Sequence, residues 1–144
     1  MAHSDTSDGW WLEFITALPA KTAKLAVTRK DGSPHIAPVW VDVDDGELVF
    51  MTGEHSVKGR SLLRDGRVSL CFDDERPPFS FVIVAGRARI DRDPEALRYW
   101  AGRIGARYMG ADRAEEFAQR NGAPGELLVR VGDATVVAQR DIAG

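Results

Sequence analysis

The sequence predicts a mainly β fold, a small antiparallel barrel with helices packed outside it. Three observations carry that expectation. Polarity alternates with a period of two through about six segments. The first of these are separated by tight turns, Lys30-Asp31-Gly32-Ser33 and Asp44-Asp45-Gly46, whose glycines accept positive φ. The later ones are joined by stretches with helical spacing, which sets helices beside a sheet that closes on itself.

In chain order, residues 1–9 are small and polar at the start and are expected to form a flexible tail. Gly9 to Leu18 reads as a short helix, with Trp11, Ile15 and Leu18 on one face and Pro19 ending it. From Ala23 the period changes to two: Ala23, Leu25 and Val27 alternate with Lys24, Ala26 and Thr28. His35 to Val43 follows as one strand with two apolar faces. Ala37, Val39, Val41 and Val43 make a core face, while Ile36, Pro38, Trp40 and Asp42 share the other. Such a strand needs cover on both sides. Pro38 also implies a sheet edge or a break in pairing, because it has no N–H to donate.

Glu47 to Met51 is the third strand. Ser56 is placed to cap a helix running to about Asp65, with Gly66 ending it. Val68 to Phe72 is a short strand, Asp73 to Pro78 a loop, and Phe79 to Ile90 a long strand. Pro94 opens a helix that carries Leu97, Trp100 and Ile104 as far as Tyr108-Met109-Gly110. A further helix spans Asp112 to Arg120, and Glu126 to Ala138 is the last strand, bent at Gly132-Asp133. No repeat or linker interrupts residues 10–142, which form one domain.

The formal charge of -3 argues against a nucleic-acid partner. No apolar run approaches the ~20 residues that span a bilayer, and no signal-like start is present, so no membrane is expected as a partner. A lone cysteine, Cys71, forms no internal disulfide, which makes the cytoplasm the default compartment.

Cys71 reads as a small hydrophobe inside its strand; a nucleophile there would need His35 or His55 beside it. No G-x-S-x-G elbow is present, and His3, His35 and His55 are scattered without ligand spacing, so no metal is expected. With no evident acid, base or metal, chemistry depends on a bound cofactor. The segment from Thr52 to Arg64 offers hydroxyls at Thr52 and Ser56 and cations at Lys58, Arg60 and Arg64. Two readings stand: an anion site at a helix start, or an N-cap followed by a solvated basic face. Trp40 is likewise either a packed aromatic or the wall of a ligand or dimer contact. Arg87, Arg89, Arg103 and Arg107 either extend a positive groove or are ordinary surface arginines.

Several motifs in series resemble a known family. They are Lys24-Leu25-Ala26, the G-x-P-x-x-x-P-V-W run from Gly32 to Trp40, Phe50-Met51-Thr52 with Ser56-x-Lys58, and the Asp74-Glu75-Arg76-Pro77-Pro78 loop leading into Val82 and Gly86. Arg107-Tyr108-Met109-Gly110 and Leu127-Leu128-Val129-Arg130 complete the series. Together they resemble the split-barrel oxidoreductases of the pyridoxamine 5'-phosphate oxidase class, in particular members that use the deazaflavin coenzyme F420. The resemblance implies a six-stranded antiparallel split β-barrel of the FMN-binding type, assembled as a homodimer with cofactor sites at the subunit interface. It implies that the cofactor phosphate lies at Thr52, Ser56, Lys58, Gly59 and Arg60. The ring would lie along Pro38, Val39 and Trp40 near Met51, with Arg107 or Tyr108 closing the site from the partner subunit. The function implied is hydride transfer from reduced F420 to an unsaturated or conjugated small organic substrate. An FMN-dependent oxidase or reductase, or a non-catalytic flavin, deazaflavin or haem-binding protein, is the alternative. The chain lacks the C-terminal substrate segment of true pyridoxamine phosphate oxidases, so vitamin B6 synthesis is not expected.

Overall fold

In the computed structural model, which describes residues 4–144, the period-two segments become seven strands. These are β1 (Ala23–Thr28), β2 (Pro34–Val39), β3 (Val41–Asp44), β4 (Glu47–Gly53), β5 (Arg67–Asp74), β6 (Ser80–Asp91) and β7 (Glu126–Gln139). Four helices accompany them: α1 (Trp10–Thr16), α2 (Val57–Arg64), α3 (Pro94–Met109) and α4 (Ala114–Asn121). All strand pairs are antiparallel, in the order β2-β1-β5-β6-β7-β4-β3. The sheet curls into a half-barrel.

The expected single strand from His35 to Val43 is divided at Trp40. Its first part, β2, pairs with β1 at one edge of the sheet; its second, β3, pairs with β4 at the other. One residue, Trp40, therefore joins the two edges. Pro38 lies within the edge strand β2, where a missing N–H costs no second ladder. Counted as one bent strand, β2 and β3 give the six strands expected.

The barrel interior is filled by Leu25, Phe50, Leu70, Phe72, Val82 and Leu127, each 0% exposed. Alternation along β4 sends Phe50 inward and Val49 outward, yet both are fully buried. Val49 is covered by α3, whose Leu97, Trp100 and Ile104 pack on it and on Leu128. Central strands β4 and β7 are thus apolar on both faces for a reason. Asp93 caps α3 by accepting from the Ala96 N–H at 3.0 Å, and Pro94 takes its first position as expected. The expected bend in β7 coincides with a bulge near Gly86, where a Cβ would lie 2.4 Å from the Gly132 carbonyl.

Two expectations change at the N-terminal end. Ile15 of α1 is buried on the barrel core, with Trp10, Trp11 and Phe14 partly buried around it. Leu18, expected on the same face, lies beyond the helix end and is 74% exposed. Met1, Ala2 and His3 lie outside the described residues. From Ser4 onward the expected tail is hydrogen-bonded to β7: Asp5 N–H donates to the Ala138 carbonyl at 2.6 Å, and Ser4 Oγ accepts from Ala138 N–H at 3.2 Å. A turn of 3-10 helix, Ser7–Gly9, leads from there into α1. Among the described residues no helix is long and apolar enough to cross a membrane.

One outward row crosses five strands in register: Pro38, Lys24, Cys71, Ile83 and Val137. The neighbouring row is Ile36, Ala26, Ser69, Ala85 and Thr135. Ile36 is 66% and Val137 45% exposed, so this sheet face leaves apolar surface in water.

Candidate functional site

The turn between β4 and α2 is held by one hydroxyl. Ser56 Oγ caps α2 by accepting from the Gly59 N–H at 3.0 Å, and donates to the Gly53 carbonyl at 2.8 Å. With its hydrogen so used, Ser56 accepts from Thr52 Oγ1, 3.0 Å away, in turn. The Ser56 hydroxyl is thereby saturated. Thr52 is 6% exposed. Both residues shape the turn with their side chains; what faces outward is the start of α2, where the first N–H groups have no helical acceptor. Gly59 lets the helix come close, since a Cβ there would sit 2.1 Å from the Gly53 carbonyl oxygen.

A groove of about 320 Å³ opens beside the Trp40 corner. Pro38, Val39, Trp40 and Met51 line it from the sheet, Lys58 from α2, Ala101 and Ile104 from α3, and Asn121 from the end of α4. Its lining residues are of apolar type apart from Lys58 and Asn121. The structure thus gathers five of the sequence-derived candidates, Pro38, Val39, Trp40, Met51 and Lys58, around one space. A flat apolar ring with one anionic substituent fits this donor set.

Arg60 is placed elsewhere. Residues two apart on a helix point about 200° apart, and Arg60 lines a separate hollow with Arg29, Lys30 and Arg64. The other expected arginines do not converge on the groove either. Arg89 pairs with Glu47 at 2.6 Å and Arg103 with Asp42 at 3.3 Å, while Arg87 lies with Arg67 on another surface. Arg107 donates to the Ile15 and Thr16 carbonyls at 2.9 and 3.1 Å, closing the C-terminal end of α1. Among the described residues, its Nε is buried without a hydrogen-bond partner.

Tyr108 holds the corner. Its ring stacks on Trp40 with centroids 5.1 Å apart and planes 4° from parallel. Its hydroxyl donates to the Lys21 carbonyl at 2.6 Å and accepts from the Val41 N–H at 3.0 Å. With these groups Arg107 and Tyr108 therefore bind other segments of their own chain. Tyr108→Phe is expected to cost about 1–3 kcal/mol, because the buried Val41 N–H loses its acceptor; urea unfolding of the variant measures it.

Cys71 stands on the outward row of β5, between the inward Leu70 and Phe72, and is half-buried where a core position was expected. Burial, and then the Asp73 carboxylate, push its thiol above the ordinary range, which disfavours the nucleophilic thiolate. His35 lies against Arg29 and His55 is exposed beside Glu54, so neither pairs with it. Cys71→Ser is expected to leave cofactor affinity and turnover within a few-fold, read by titration and steady-state assay.

Sequence reasoning missed Ala101, Ile104 and Asn121 as lining residues. Ile104 was legible as an apolar helix position, and the small residues of α3 carried the rest of the signal. Gly102 and Gly105 let α4 pack tightly, a Cβ at Gly105 falling 2.3 Å from Phe117 Cβ, and this brings the end of α4 to the groove.

Comparisons with known proteins agree with this architecture. The family described as pyridoxamine 5'-phosphate oxidase matches residues 12–137. No curated protein matches the chain. Among solved structures, a conserved hypothetical protein from Mycobacterium tuberculosis superposes with a TM-score of 0.80 at 26% identity, covering 100% of this chain and 92% of that one. An F420 reductase superposes with a TM-score of 0.64 at 22% identity, over 81% of this chain and 88% of that one. A FAD-binding protein from Mesorhizobium loti gives 0.65 at 20% identity, over 92% and 95% of the two chains. At such identities the last two show a shared fold. With the family match spanning most of the curled sheet and its helices, the chain belongs to the pyridoxamine 5'-phosphate oxidase family.

Proposed function

We propose that the protein is an F420-dependent oxidoreductase, acting as a cytoplasmic homodimer on an unsaturated or conjugated small organic substrate. The observation that carries this reading is the groove, where an apolar wall at Pro38, Val39, Trp40 and Met51 meets a single cation, Lys58. The family and its F420 reductase and FAD-binding neighbours support a flavin-type ligand there. When bound, the reduced deazaflavin supplies a hydride. The chain's own residues hold and orient: Trp40 and Met51 line the space for the ring, and Lys58 with the start of α2 takes the phosphate. Ile104 and Ala101 keep water from the groove wall, and Asn121 offers an amide to the substrate or ring edge.

The dimer reading rests on the open sheet face. Ile36, Pro38 and Val137 leave apolar surface that a second copy would cover, and Pro38 belongs to both that face and the groove. Light scattering at micromolar concentration is expected to give a dimer. A monodisperse monomer would overturn an interfacial site.

The discriminating experiment is titration of the apo-protein with F420, FMN and FAD, following fluorescence. F420 is expected to bind most tightly. A protein that purifies yellow and binds FMN in preference would replace the deazaflavin reading with the FMN one. Tight binding without turnover on any conjugated substrate would favour a carrier.

A further inference from the structure

On the far side of α2 from the groove lie two adjoining hollows, of about 380 and 440 Å³. Arg29, Lys30 and Arg64 line both; Arg60 belongs to the first, Arg67 and Arg87 to the second. Six cations thus converge in a chain whose net charge is -3. Elsewhere on the surface, arginines are commonly neutralised by carboxylates, as Arg76 is by Asp74, Arg89 by Glu47 and Arg113 by Glu116. Here compensation is thin: Asp31 stands beside Arg29 and Lys30, but its carboxylate is hydrogen-bonded to Ser33 and pairs with neither. Asp65 is the one acid lining either hollow, and it is already engaged by Arg67, which holds its carboxyl down at about 2. Among the described residues, Arg29, Lys30, Arg60, Arg64 and Arg87 make no ion pair. Gathering like charges without counter-charges is unfavourable unless something anionic arrives.

We infer that this surface is a second binding site, distinct from the groove, for a small molecule carrying several phosphate or carboxylate groups. The two hollows are shallow and open to solvent, and each has a volume in the range of small-ligand sites. Forked guanidiniums suit the planar or tetrahedral oxygens of such groups. Val57 gives the first hollow an apolar side, while Thr28 and Gly32 border the second. A long nucleic acid is disfavoured by the acidic balance of the remaining surface. The inference does not depend on which cofactor occupies the groove, because Lys58 faces the groove and Arg60 the hollows.

The test is calorimetric titration of the full chain at low salt with tripolyphosphate and, separately, with citrate, alongside thermal melts. Binding of one anion per chain and a raised Tm are expected, with at least a ten-fold loss of affinity in Arg60→Glu/Arg64→Glu. Arg87→Glu, in the second hollow, should also weaken binding, whereas Lys58→Ala should not. Preference for tripolyphosphate would assign phosphate chemistry, and preference for citrate carboxylate chemistry; either supports the site. Absence of binding to both, retention of affinity in the charge-reversed variants, or loss of it in Lys58→Ala would overturn it. So would displacement by F420 or FMN, or ten-fold tighter binding of a duplex oligonucleotide or heparin.

Discussion

Lys58→Ala is expected to weaken binding of the phosphate-bearing cofactor by roughly ten- to a hundred-fold, while Arg60→Ala leaves it within a few-fold. A charge-assisted hydrogen bond is worth about 1.5–3 kcal/mol, and about 1.4 kcal/mol is a factor of ten in Kd. The asymmetry follows from helix geometry. Both residues sit in the first turn of α2, and sequence alone offers both to one phosphate, yet only Lys58 lines the groove. Fluorescence titration of the two variants measures the difference. A phosphate-free fragment, riboflavin or its deaza analogue, provides the second arm, and Lys58→Ala should bind it as the parent does. Equal losses in the two variants would sink this placement of the phosphate, as would equal losses for intact cofactor and fragment.

Gly59→Ala should damage stability and binding together. The new methyl would lie 2.1 Å from the Gly53 carbonyl oxygen and 3.1 Å from Glu54 Cα. These are backbone atoms in a turn already fixed by Ser56, so no side chain can swing aside. Overpacking of this kind costs about 1–3 kcal/mol, and each kcal/mol lowers Tm by roughly 2–4 °C in a chain of this size. The helix must withdraw from the turn, taking Lys58 with it, so cofactor affinity should fall in the same variant. Gly53→Ala is the control, because its Cβ would meet only Glu126 Oε1, at 4.0 Å. Thermal melts and titrations on both variants check the pair of expectations. A Gly59→Ala protein as stable as the parent would show that the turn yields.

The barrel was legible because its signals are local. Alternation at Ala23, Leu25 and Val27, glycines in the first hairpin turns, and the Ser56 and Asp93 caps each act within a few residues. The break at Trp40 was half legible. Pro38 announced an edge, and the flanking hairpins pair β2 with β1 and β3 with β4; that these pairs stand at opposite edges depends on β7, remote in sequence, pairing with β4. The candidate site divides in the same way. Pro38, Trp40, Met51 and Lys58 were readable from their motif, whereas Asn121 reaches the groove only through the packing of α4 on α3. The side-chain duties of Arg107 and Tyr108 were hidden for that reason too. Their partners, Ile15, Thr16, Lys21 and Val41, lie far away in sequence.

The place of β7 in the sheet has a consequence for how the chain is made. Residues 126–139 emerge from the ribosome after the other six strands, yet β7 stands between β6 and β4. Until it appears, β4 has only β3 for a neighbour, and the block of β2, β1, β5 and β6 ends in an unpaired edge. Between the completion of β6 at Asp91 and the arrival of β7 at Glu126, the nascent chain therefore carries two separate half-sheets, tethered through Trp40. Each presents an unpaired strand edge, and β4 is apolar on both faces, the sort of edge that invites mispairing with neighbours. Barrel formation must be a late event that waits on pairings distant in sequence, and such pairings form slowly. Ribosome-stalled chains ending before residue 126 should accordingly be captured by chaperones and digested by proteases, and chains released at full length should resist both.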